Sequence, residues 1–193
     1  MVMVKRKSIL PLRDNGILNF DANLYGKEVA AILALDQDGH RLIPLVSGNC
    51  SCPPAHEKLL TLNIAPTALA GLWLYFSCFD ECHEIVQDLG SPEASLWHAI
   101  LHRQEPDSGN AAYWFRRAGN HAIFPALCQA AGDVTTRMPE AEFRTGGKWD
   151  PYSFVMFCER ARQQPGSSQE RAALEIQRAE WQLLFDYCAR RSS

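Results

Sequence analysis

Residues 91–119, SPEASLWHAILHRQEPDSGNAAYWFRRAG, read as two helices joined by a tight turn, and they set the fold class expected of the chain. Ser91 can cap free N–H groups, Pro92 suits a first turn, and Glu93 favours the positive end of the helix dipole. Pro106 disfavours helical geometry at Glu105, so the first helix is expected to end near Gln104 or Glu105. Asp107 or Ser108 can then cap a second helix running to Ala118, with Gly119 as a left-handed stop. A connection this short favours adjacent, packed helices.

On the first helix Leu96, Trp97, Ile100 and Leu101 form one apolar sector. His98, His102 and Glu105 form a second, roughly 140° away at 3.6 residues per turn. The two histidines are therefore expected off the core-facing stripe, in solvent or in a pocket that another element closes. The next helix is the expected wall. It carries Asn110, Tyr113 and Arg117 along one side, with Arg116 beside them, while Ala111, Trp114, Phe115 and Ala118 make its apolar side. Trp97, Trp114 and Phe115 are expected in the core.

These residue types suit two kinds of chemistry. Imidazoles at i and i+4 can share a divalent cation, which would need a third ligand such as His83, Glu105, Asp107 or His121. Without a metal, His98, His102, Glu105 and Tyr113 are candidates for proton transfer. Asn110, Arg116, Arg117 and Asp107 would then surround a bound carboxylate or phosphate, the arginines gripping it through paired charge-assisted bonds. Solvated or ion-paired side chains are the ordinary alternative for each of these residues. There is no GxSxG elbow, Gly-rich phosphate loop or dinucleotide fingerprint.

The string WHAILHRQEPDSGNAAYWFRR, taken with LYFSCFDECHEIVQDL upstream and EWQLLFDYC downstream, resembles a bacterial family of hypothetical proteins with fungal counterparts. The resemblance spans about residues 65–190. It implies a single domain there, and no activity, cofactor or catalytic residue.

At 193 residues the chain is long enough for a real core, and 47% hydrophobic with 21% charged residues is an ordinary globular balance. A net charge of −3 argues against general nucleic-acid binding, whose phosphate contacts need a basic surplus. Neither a secretory signal nor an apolar span of about twenty residues is evident, so the cytoplasm is the expected location and no membrane is expected as a partner. The odd count of seven cysteines, five of them in helical patterns, predicts reduced thiols and no structural disulfide. Cys50-Ser51-Cys52 stands apart in a Gly/Pro-flanked loop, and Cys78 and Cys82 precede His83 as further candidate metal ligands.

Elsewhere the pattern is again helical. An arm is expected over residues 1–20, a short helix over Lys27–Leu35 in preference to a hairpin, and a loop over 47–56. A helical turn follows at Leu59–Asn63, then helices over Pro66–Phe76 and Asp80–Leu89. Another runs over Pro125–Ala131 until Gly132 ends it, and a polar connection over 132–149 follows, either a mobile lid or a surface loop. Asp150-Pro151 opens a further helix, and Ser167 with Glu170 forms a capping box for the last.

The expected fold is all-α: a compact multi-helix domain over 65–193, with residues 1–64 as a mostly irregular N-terminal extension packed on it. The function most consistent with the residues is a small-molecule or divalent-metal-dependent enzyme. A non-catalytic module for a small anionic metabolite stands as the alternative. A helical protein-interaction or DNA-reading module is a third reading, which the acidic balance and the aromatic second helix weaken.

Overall fold

The computed structural model describes Leu10 and residues 18–190; most of the expected N-terminal arm, and Arg191, lie outside the described residues. Those described form nine α-helices, three short 3-10 turns and no strand or sheet, so the fold class is all-α. The helices are α1 (Lys27–Leu33), α2 (Pro53–Leu59), α3 (Pro66–Tyr75), α4 (Phe79–Gln87) and α5 (Pro92–Gln104). They continue as α6 (Ser108–Ala118), α7 (Phe124–Arg137), α8 (Pro151–Arg162) and α9 (Ser168–Ala189).

Capping explains several of the boundaries. Ser91 accepts from the Ala94 N–H, Asp107 from Asn110, Asp150 from Tyr152 and Ser167 from Glu170. Each cap satisfies an N–H that has no partner within its own helix. Two boundaries depart from expectation by more than a couple of residues, and the turn expected at Leu59–Asn63 is no separate element. Pro53 and Pro54 open α2 inside the stretch expected to be a loop, because prolines fit a first turn and Ala55 and Leu59 are then buried. Gly132 does not end α7, which continues to Arg137. There Val134 packs into the core, and Arg137 reaches Glu175 on α9 at 2.9 Å. Tertiary contacts outweigh the local cost of one glycine.

The centre of the molecule is α5, with every residue from Glu93 to Gln104 at most 9% exposed. It packs on α3, α4 and α6, and its C-terminal turn meets residues 43–47: the Gln104 side-chain amide donates to the Pro44 carbonyl at 2.6 Å, and the Gln104 backbone carbonyl accepts from the Ser47 N–H at 2.7 Å. A helix enclosed on every side has no outer sector. The histidine face expected off the packing surface is therefore itself packed. Gly71 on α3 permits part of this enclosure, since a Cβ there would lie 2.7 Å from the buried Trp97 ring.

The N-terminal residues 18–64 are tied into the same core. Tyr25 donates to Asp186 on α9 at 2.8 Å, and the α9 side chains Gln177 and Gln182 donate to the Ile43 and Gly39 carbonyls. The Tyr75 hydroxyl gathers the turn at 36–41, donating to the Asp36 carbonyl and accepting from the Gly39 and Arg41 N–H groups. Burial pushes that phenol up to about 12. The segment after α7 is docked as well: Phe143 and Trp149 are buried against Phe154 and Phe157 of α8.

A disulfide joins Cys50 to Cys78 and leaves five free cysteines. This corrects the expectation of seven reduced thiols. Counting cysteines in helical patterns could not reveal it, because Cys78 immediately precedes α4 while Cys50 approaches from a loop 28 residues away in sequence. Cys82 is buried, and burial followed by the nearby Glu105 and Glu81 charges pushes its thiol far up, so it is protonated.

Candidate metal centre

Three imidazoles meet where α4 and α6 pack on α5. His98 and His102 stand one turn apart on α5, and His83 reaches them from α4. One ligand-capable nitrogen from each lies within 4.8 Å of the others. The rings of His98 and His102 are stacked at 4.7 Å, and the His83 ring stands edge-on to both, at 4.7 and 5.7 Å. The position of α4 is itself braced, since His56 on α2 bonds Glu81 at 2.6 Å.

The three histidines differ in their surroundings. His98 is 3% exposed and its Nδ1 has no hydrogen-bond partner. Burial pushes it down to about 3, helped by the charges of His102, His83 and Arg117, so it is neutral at ordinary pH. His102 is engaged at both nitrogens: Nδ1 lies 2.7 Å from Glu105 Oε2, and Nε2 lies 3.1 Å from the Asn110 amide nitrogen. A carboxylate on the far nitrogen is the arrangement that fixes ring orientation and tautomer in metal-ligating histidines. His83 is half-buried and has ring contacts to both partners.

α6 closes the cluster with Trp114, whose indole lies 3.8 Å from the His98 ring at an interplanar angle of 17°. Trp114 was expected in the core with Trp97 and Phe115, which are fully buried. It is half-buried and forms a wall of the cluster instead. The Arg117 guanidinium sits 5.0 Å from the centre of the indole. Tyr113 turns away: it is 45% exposed, and its hydroxyl accepts from Arg117 at 3.2 Å. Among the described residues no hydrogen bond or ring contact joins it to an imidazole, and its ring packs edge-on against Trp114 instead.

The other candidates lie apart from the cluster or serve the backbone. Asp107 caps α6, and Arg116 is exposed. His121 lies 3.8 Å from Glu93 and packs on Tyr187, away from the cluster. Cys78 is taken by the disulfide. A cavity of about 360 Å³ bordered by Pro66, Leu89, Glu93 and Cys188, and a cleft of about 480 Å³ beside Phe124, Lys148 and Trp149, are lined by none of the three imidazoles.

Arg103, which the sequence reading passed over, is fully buried on α5. It pairs with Glu180 at 2.5 Å, bonds Gln177 at 3.2 Å and lies over the Phe154 ring. Its setting is a structural ion pair between α5 and α9. No helix is long and apolar enough to cross a membrane among the described residues. Compared with protein-family models, curated proteins and solved structures, the chain finds no match.

Proposed function

We propose that this chain is a metal-dependent enzyme acting on a small anionic molecule, with a divalent cation of the zinc class held by His83, His98 and His102. One observation carries the reading: three imidazoles from two helices converge within 4.8 Å, with one of them held neutral and without a hydrogen-bond partner at Nδ1. A neutral buried imidazole is ready to ligate, because a metal must otherwise displace a proton. Three nitrogen ligands leave the fourth position of a tetrahedral site for water or substrate. A cation held so lowers the pKa of a bound water or polarises an oxygen of the substrate. Glu105 supports His102 from behind, and the Arg117 cation beside Trp114 supplies attraction for a carboxylate or phosphate. The cytoplasm belongs to the same proposal, supported by the five free thiols and opposed by the Cys50–Cys78 disulfide, a bond rare in that compartment.

The test is metal content. Protein purified without a tag or chelator is expected to carry or take up one Zn²⁺ or Co²⁺ per chain, with a Co²⁺ spectrum of tetrahedral type. His98→Ala should abolish uptake. A parent protein that binds neither ion removes the reading.

A second reading has an observation of its own in favour. Both nitrogens of His102 are already hydrogen-bonded without any ion. The cluster would then be a metal-free module that binds an anion through Arg117. Calorimetry with small carboxylates and phosphates on chelator-treated protein, repeated on Arg117→Ala, distinguishes it from the first. A loss of roughly 1.5–3 kcal/mol in the variant, the range for a hydrogen bond to a charged group, is the expected signature.

A further inference from the structure

We infer that Asn110 is a latch on this centre: its side-chain amide holds the Nε2 lone pair of His102 while no cation is bound, and it has to release that atom for a cation to enter. The functional half of this inference rests on the metal reading above. The hydrogen-bond assignment beneath it stands on geometry alone.

The assignment follows from what each group can donate. An ionised carboxylate only accepts, so Glu105 Oε2, 2.7 Å from His102 Nδ1, requires a proton on Nδ1. A neutral imidazole has a single N–H, which leaves Nε2 as a bare acceptor. The atom 3.1 Å from Nε2 is Nδ2 of Asn110, a donor. The bonds therefore run in one sense, from the Asn110 amide to Nε2 and from Nδ1–H to Glu105. With Nδ1 engaged, Nε2 is the atom that His102 has left to offer a cation. One lone pair cannot serve the amide and a metal together.

The backbone around Asn110 makes release a side-chain event. Its own N–H bonds the Asp107 carboxylate at 3.0 Å, and the Asp107 N–H bonds the His102 carbonyl at 3.0 Å. The turn between α5 and α6 is thus pinned while the amide remains free to rotate. Asn110 is only half-buried, so a rotated amide is able to exchange His102 for water. His98 needs no comparable release, since its Nδ1 has no hydrogen-bond partner. The control falls on one ligand of the three. It keeps the His102 ring and tautomer set before an ion arrives, and it makes the ion exchangeable.

Two measurements test the latch. The first is Zn²⁺ affinity of the full chain by chelator competition, parent against Asn110→Ala. Alanine suits the third position of a helix, so the variant should fold, which far-UV circular dichroism verifies. Removing a competing hydrogen bond should tighten Zn²⁺ binding by roughly twofold to tenfold, at an unchanged one ion per chain. Equal or weaker binding in the variant overturns the latch, and does so while the metal reading stands if the parent binds and His98→Ala does not. The second needs no metal. Long-range ¹H–¹⁵N spectra of the metal-free protein should show His102 protonated at Nδ1 and bare at Nε2. A proton on Nε2 overturns the latch whatever the affinities are. Should neither protein bind Zn²⁺, the amide is not what keeps a cation out, and latch and metal reading fall together. Binding by Asn110→Ala alone supports both.

Discussion

The indole of Trp114 lies flat on the imidazole of His98, with ring centroids 3.8 Å apart. That contact covers one face of a histidine whose other face stacks on His102. Burial is the first cause of the depressed His98 value, ahead of the charges of His102, His83 and Arg117. Trp114→Ala should therefore admit water and raise His98 from about 3 toward its ordinary value of 6.5. The ring-proton chemical shift of His98 followed by NMR from pH 3 to 8 reads this directly. A midpoint that stays near the parent's would assign the depression to the neighbouring charges instead.

The same histidine predicts how stability varies with pH. In the unfolded chain His98 takes up a proton near 6.5, whereas in the folded protein it does so only near 3. Between those values the unfolded state binds more protons, so stability rises with pH across the window. The contribution is present in full above about 6.5 and is lost as the pH falls toward 3. Glu175, lowered by its bonds to Arg171 and Arg137 against the opposing effect of burial, adds a loss of the same sign below its ordinary 4.5. Thermal unfolding should show Tm falling steadily from pH 7 to 5, where the carboxylate contributes little. In His98→Gln the slope over that interval should flatten, and a parent Tm that is level there would contradict the assignment.

Much of this arrangement was legible from the residues. Ser91, Pro92, Pro106, Asp107 and Gly119 place the ends of α5 and α6 within a residue, because caps and proline act locally. The pairing of His98 with His102 follows from helical spacing alone. What could not be read is what lies opposite. His83 joins the cluster from a different helix, and nothing local in DECHEIV says that α4 packs on α5. The wheel left the histidine face open to solvent or to a pocket closed by another element; it ranks sectors by polarity, and so cannot tell that α4 and α6 cover that face. Trp114 stands against the imidazoles where Tyr113 was expected, for a related reason. Neighbouring positions on a helix point about 100° apart, so the rotation of α6 about its axis, which tertiary packing sets, decides which of them faces the imidazoles.

The Cys50–Cys78 pairing sets a countable expectation. Denatured, unreduced protein should titrate five thiols, and seven after reduction. Seven without reductant would contradict the bond. The bridge spans a sequence separation of 28, and closing a loop of that length restricts the unfolded chain. Cys50→Ser should therefore lower unfolding stability by about 3–4 kcal/mol in the chain-entropy account. Urea denaturation of parent and variant under identical non-reducing conditions measures it.

The ion pair of Arg103 and Glu180 supplies a last prediction, on the linkage of the site helix to the core. The two side chains are 0% and 2% exposed and meet at 2.5 Å, with Gln177 on the same guanidinium nitrogen. Removing both ions from water costs more than their attraction readily returns, so the intact pair is no large source of stability. Breaking it is a different matter. Glu180→Ala leaves a guanidinium buried over Phe154 without its counter-charge, and should cost about 3–5 kcal/mol in urea denaturation. Arg103→Met combined with Glu180→Leu removes both charges at similar volume, and should recover most of that loss. A double variant no more stable than Glu180→Ala would mean that the charges are needed for the packing of α5 against α9, and not merely tolerated there. Because α5 carries His98 and His102, Glu180→Ala should also broaden their NMR signals, whereas the double variant should leave them sharp.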